Sequence, residues 1–273
     1  MSEKVSTREL GLILGARLLK TEDLHYGLWR EGLEVKLANL PQAQQNYTDF
    51  LFSHIPADAK RILDVGCGTG HLSSLLREKG YTVQAISPSP ELTRLARERL
   101  GPDFLIHPTT FEAFQTGETF DLVMFSESFQ YIPYTESLPK AHALLNPGGR
   151  VLICDFFRLA GTGSSALKGG HDLARFDAYL AEQPFKVLND EDITAQTAPN
   201  LQLMDELLSD YAKPIWETVG YWMRRNHPWV AGILGRIFRK KIDKLNFKYF
   251  SHQRSTANFA KHKKYRCLVL EKA

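Results

Sequence analysis

The sequence predicts a doubly wound α/β sheet, and three observations carry that expectation. Strand-like apolar runs alternate with helix-like stretches from residue 61 to residue 188. The first run ends in the carboxylate Asp64 and breaks into three glycines spaced every second residue, Gly66, Gly68 and Gly70. A later run, Phe120–Phe125, is almost continuously apolar, as strands buried on both faces of a parallel sheet are.

Each element follows in order. The opening strand starts at Arg61, and a helix runs from Leu72 to Lys79 after the glycine turn. Tyr81–Ile86 reads as the second strand, and Pro90–Leu100 as a helix with proline in its first turn. Phe104–Ile106 is a short third strand and Phe120–Phe125 the fourth. A helix over Thr135–Leu145 leads through the turn Asn146-Pro-Gly-Gly149 into a fifth strand, Arg150–Asp155. A helix over Asp172–Glu182, a strand over Phe185–Leu188 and a last, antiparallel strand over Tyr265–Leu270 complete the sheet. Four units are expected: a helical N-terminal lid (1–60), the core (61–195), a helical insertion (196–263) and the last strand (264–273).

Composition narrows the class. The chain has 273 residues, 43% hydrophobic and 24% charged, an ordinary globular balance. No apolar run approaches the ~20 residues of a membrane span. The start, Met1-Ser-Glu-Lys, mixes charges before a short apolar stretch (Leu10–Leu14) and shows no cleavage site, which argues against a secretory signal. Cys67, Cys154 and Cys267 are odd in number and far apart, so they read as reduced packing residues of a cytoplasmic protein, and no metal site is expected. Between Lys213 and Lys264 there are thirteen Lys or Arg against Glu217 and Asp243, a net of +11. The whole chain is only +3, so the remainder is near −8.

The glycine turn discriminates between ligands. A strand, a glycine turn and a helix open a nucleotide-binding βαβ unit, where missing Cβ atoms let backbone approach a ligand. The dinucleotide fingerprint needs a glycine at position 71, where His71 stands. Asp64, just before the turn, would repel a pyrophosphate and attract an ammonium group. Those features favour S-adenosylmethionine, which carries an ammonium and a sulfonium and no phosphate.

With these residues placed, the chain resembles the class I S-adenosylmethionine-dependent methyltransferases over residues 60–190 and the last strand. Leu63-Asp-Val-Gly-Cys-Gly-Thr-Gly70, Phe120-Asp-Leu-Val-Met-Phe-Ser126 and Leu145-Asn-Pro-Gly-Gly-Arg-Val-Leu-Ile153 carry the resemblance. Ile86-Ser-Pro-Ser-Pro-Glu91 and His25-Tyr-Gly-Leu-Trp29 look like the small-molecule branch that includes tocopherol, sterol and cyclopropane-forming enzymes. The resemblance implies a Rossmann-like sheet of seven strands. It also implies a cofactor set of Asp64, Gly66, Cys67, Gly68, Gly70, Ser87, Pro88, Thr110, Phe111 and Ser126, with Tyr26 reaching the cofactor carboxylate from the lid. Two positions depart from the family pattern. Ser87 stands where an acid usually holds both ribose hydroxyls, and Thr110-Phe111 where many relatives place an aspartate at the adenine. Tyr26 and Trp29 fit helix packing as well.

Acceptor-facing positions in such folds follow the fourth and fifth strands. His171, after two glycines, ranks first among the candidates for general base, and a polar residue at the helix start before Asp172 is the slightly favoured alternative. Glu127, between Ser126 and Ser128, fits a base, an anchor, a cation stabiliser or a structural hydrogen-bonding group; Tyr131 completes the candidates and His25 is a weaker base. The insertion holds Trp216, Trp222 and Trp229 and is expected to cap an apolar or amphiphilic acceptor. Its basic residues suit a phosphate, a carboxylate, a carrier protein or an anionic membrane surface. Nucleic acid is disfavoured, since no base-methyltransferase motif is present. The expectation is transfer of a methyl group to the C, O or N atom of a small metabolite. The alternatives are an RNA- or carrier-bound substrate and a non-catalytic cofactor-binding scaffold.

Overall fold

The computed structural model describes residue 21, residues 23–163, residue 165 and residues 167–273. In chain order the elements are α1 (Leu40–Ser53), β1 (Arg61–Val65), α2 (His71–Glu78), β2 (Thr82–Ile86), α3 (Pro90–Leu100), β3 (Ile106–His107), β4 (Phe120–Ser126) and α4 (Tyr134–Leu144). There follow β5 (Leu145–Arg158), α5 (Leu173–Leu180), β6 (Phe185–Asp192), α6 (Thr194–Thr197) and α7 (Pro199–Glu206). A π-helical turn, Leu207–Ala212, leads into α8 (Lys213–Asn226), and α9 (Pro228–Phe250), α10 (Thr256–His262) and β7 (Lys263–Lys272) complete the chain.

The seven strands form one sheet in the order β3-β2-β1-β4-β5-β7-β6, the doubly wound arrangement with a reversed last strand that the sequence predicts. β1 to β5 pair parallel, whereas β7 runs antiparallel to both β5 and β6, with Cys154 opposite Cys267. Strand alternation explains how two helical layers are served at once. Ile62, Leu122, Met124, Leu152 and Cys154 enter the core facing Tyr47 and Leu51 of α1. Leu63, Val65, Val123, Phe125, Val151 and Ile153 enter the core facing Leu138 and Ala141 of α4.

Boundaries depart from expectation where side chains have better uses. β3 starts at Ile106 because Phe104 lies under the Arg77 guanidinium, 5.7 Å away, instead of joining the ladder. The turn Asn146–Gly149 is a bulge inside β5, between the Phe120–Leu145 and Leu122–Arg150 pairs. β6 extends past Leu188 to Asp192, its register shifting between Val187 and Asn189. A helical N-terminus is expected, but residues 23–36 are not helical, and among the described residues the first helical turn begins at Leu37. The apolar stretch Leu10–Leu14 lies outside the described residues.

Candidate active site

A cavity of about 340 Å³ opens beyond the C-terminal ends of β1, β2 and β4, walled by their loops and by the segment from Asp23 to His25. Backbone forms one end. Gly66 has φ +83°, and a Cβ there would sit 2.5 Å from the Ser128 Cβ, so no side chain fits. Its N–H and that of Cys67 both donate to the Ile86 carbonyl, at 2.8 and 3.2 Å, tying the turn to the end of β2. Gly68 lies in the cavity wall beside them, as do Cys67, Ser87, Pro88, Thr110 and Phe111.

Asp64 lies beneath this turn, 2% exposed, and accepts a 2.6 Å hydrogen bond from the Ser73 hydroxyl of α2. Burial dominates over that bond and pushes its carboxyl up to about 6. A buried carboxyl with one donor can still welcome a cation. Ser87 is buried, with its N–H on the His107 carbonyl. Thr110 receives the Ala113 N–H at 3.3 Å, while the Phe111 ring is spent on an edge contact with Phe125.

Side chains from distant parts of the chain form the other end. Ser126, Glu127, Ser128 and Tyr131 line it. Glu127 has φ +54°, a conformation costing a non-glycine residue about 1–3 kcal/mol, and its N–H reaches the Cys154 carbonyl at 2.9 Å. Its Oε1 accepts the Tyr26 N–H at 2.6 Å and the Tyr265 hydroxyl at 2.8 Å. Tyr265 and Tyr47 hydroxyls lie 3.0 Å apart, and Tyr47 continues to Ser126 Oγ at 3.2 Å. Burial raises the Glu127 carboxyl, outweighing His25, the Tyr26 N–H and the Tyr265 hydroxyl, which all favour the charged form. Such a carboxyl can accept a proton more readily than an exposed one.

The N-terminal segment is clamped over this end. Gln44 Nε2 donates to the His25 carbonyl at 2.9 Å, and Asn200 pairs with both the N–H and the carbonyl of Gly27, at 2.8 and 2.7 Å. The His25 ring stacks on Tyr47 at 4.5 Å. Asp23 Oδ1 lies 2.6 Å from His71 Nδ1 and 3.2 Å from His25 Nε2, within ion-pair distance of both rings. Burial opposes charge on His25 and Asp23, yet their attraction prevails: His25 is raised and Asp23 held well below the usual carboxylate range.

Three expected site residues fall outside the cavity wall. His171 Nε2 faces the carbonyls of Phe129 and Ile132 at 3.0 and 2.9 Å, and its ring packs edge-on against Tyr134. With that nitrogen donating to the two carbonyls and the ring outside the cavity wall, His171 braces the loop after β4 and does not stand where the expected base would. The Tyr26 ring packs among Phe156, Phe259 and Tyr265 with centroids 6.2–6.4 Å away, so only its backbone serves the site, through Glu127. A Cβ on Gly70 would meet Leu100 Cδ1 at 2.9 Å and Ala96 Cβ at 3.1 Å, so that glycine admits helix α3 and not a ligand. Conversely Asp23, Leu24 and His71 line the cavity unpredicted, and His25 earns more than its weak rank.

Comparison with known proteins agrees with the geometry. Residues 38–195 match the methyltransferase-domain family, and the chain belongs to it, on a class I S-adenosylmethionine-dependent methyltransferase fold. It is 32% identical over 97 residues to an uncharacterized methyltransferase of Mycobacterium bovis, covering 36% of this chain and 40% of that one. To an uncharacterized methyltransferase of Bacillus thuringiensis it is 30% identical over 113 residues, 40% of this chain and 53% of the other. The chain thus spans about half the length, or less, of these curated relatives. Among solved structures, a putative sarcosine dimethylglycine methyltransferase from Galdieria sulphuraria superposes with a TM-score of 0.69 at 14% identity, over 96% of this chain and 97% of that one. A geranyl diphosphate methyltransferase in complex with GPP and sinefungin superposes at 0.65, also at 14% identity, over 96% and 94%. At such identities these two speak for the fold alone.

Proposed function

We propose that this protein is an S-adenosylmethionine-dependent methyltransferase acting on a small apolar or amphiphilic metabolite. The observation that carries the reading is one continuous cavity with a Cβ-free backbone end over a buried carboxyl, Asp64, and a second end lined by Glu127. The donor set fits the cofactor: Asp64 supplies negative charge for an ammonium group, the Gly66–Gly68 backbone admits close approach, and among the described residues no Lys or Arg lines the wall. When bound, S-adenosylmethionine supplies a methyl group already activated on sulfur.

The chain's own residues then orient and exclude. Ser87 and Pro88 close the cavity on the β2 side, and Thr110 and Phe111 close it beyond β3. Glu127, fixed by Tyr26 and Tyr265, is the group poised to take a proton from the acceptor or to stabilise positive charge on it. Much of the rate comes from holding the reactants in line, which the clamped N-terminal segment and the loop after β4 favour. A metabolite that presents an apolar body to the cavity and its reacting atom to Glu127 is the kind of acceptor this reading expects. Incubation of the purified protein with methyl-labelled cofactor and metabolite extracts tests it. Label should enter a small, solvent-extractable product; label in RNA or protein only, or in nothing, contradicts the reading.

A further inference from the structure

Helices α8 and α9 form a hairpin joined at His227, and among the described side chains from Lys213 to Phe250 none is buried. That is unusual for so apolar a pair. Trp229 is 86% exposed, Ile237 67% and Ile233 59%, and these three line one shallow groove; Val230, Trp222 and Tyr221 are exposed as well. Soluble surfaces seldom leave such a contiguous apolar area uncovered. Trp229, Ile233 and Ile237 recur every fourth residue and so form one stripe at the hairpin end of α9. Further along the same helix side the residues change character, to Arg236, Lys240 and Lys244 with Lys241 beside them. Residues 213–250 hold nine Lys or Arg against Glu217 and Asp243.

We infer that this hairpin docks the protein on an anionic membrane surface. The apolar stripe enters the headgroup region, and the basic stretch one or two turns away meets lipid phosphates. Trp and Tyr are the side chains that best tolerate that boundary, apolar in body and polar at one edge. No described helix is long and apolar enough to cross a membrane, so the hairpin lies at the surface. A second copy of the hairpin is a poor partner, since two such basic surfaces repel. Nucleic acid would satisfy the charges but leave Val230, Ile233 and Ile237 in water. The inference does not depend on the acceptor or the cofactor.

Co-flotation of the full chain with lipid vesicles tests it. Vesicles in which phosphatidylglycerol replaces part of the phosphatidylcholine should bind roughly tenfold or more tightly than phosphatidylcholine alone, and added salt should weaken binding. The double substitution Trp229→Ser with Ile237→Ser should lower binding about tenfold at unchanged Tm, and so should Lys240→Glu with Lys244→Glu. Equal binding to both vesicles, or none, overturns the inference. So does insensitivity to the apolar pair, or self-association or RNA retention that these variants abolish while vesicles go unbound.

Discussion

The two ends of the cavity are built by different means. Around Gly66 the wall is backbone, the turn and its acid Asp64 lie within a few residues of one another, and its shape depends on an absent Cβ. Around Glu127 the wall is side chain, and its hydrogen bonds join residues 101 and 138 positions apart. The contrast teaches that a local motif can hold a cofactor, whereas the reacting partner's environment needs the finished fold. It also divides the expected consequences of substitution. Damage at the first end should appear as lost binding, and damage at the second as lost turnover.

Gly66→Val should have the largest effect. The new Cβ collides with Ser128 and the φ of +83° strains any branched residue, so cofactor affinity should fall about a hundredfold or more. Calorimetry checks this, with circular dichroism to show that the sheet remains. Next, Glu127→Gln keeps shape and removes basicity. Turnover should fall about a hundredfold with cofactor affinity nearly unchanged. Equal losses of both in either variant would erase the division between the ends. The smallest effect on activity belongs to His171→Ala. Turnover should stay within about twofold, while the carbonyls of Phe129 and Ile132 lose their donor and stability drops by about 1–3 kcal/mol, read by thermal unfolding.

The same division accounts for what could be read in the chain beforehand. Sheet and glycine turn were legible because β1 and β4 carry their period and burial locally, in Ile62–Val65 and Phe120–Phe125. Spacing could not distinguish Gly66, whose empty Cβ position Ser128 fills, from Gly70, where α3 comes close. His171 sat plausibly after two glycines, but its carbonyl partners lie 42 and 39 residues away and nothing local announces them. Asp23 was invisible for the same reason, since its role exists only when the N-terminal segment crosses His71. For the hairpin, composition was legible and exposure was not. Its tryptophans fitted a pocket cap in sequence, whereas Trp229 stands clear of the cavity wall in space.

Asp64 links the account to a single measurement. Its carboxyl, pushed up to about 6 by burial, is neutral below that pH and charged above it, so attraction for an ammonium group should grow as pH rises through about 6. Calorimetric titration of the protein with S-adenosylmethionine on either side of that value, beside Asp64→Asn, is therefore the most direct test. One molecule should bind per chain, more tightly at the higher pH, and the substitution should weaken binding and flatten its pH dependence. No heat at either pH, or an affinity indifferent to both pH and Asp64→Asn, would contradict the proposed site.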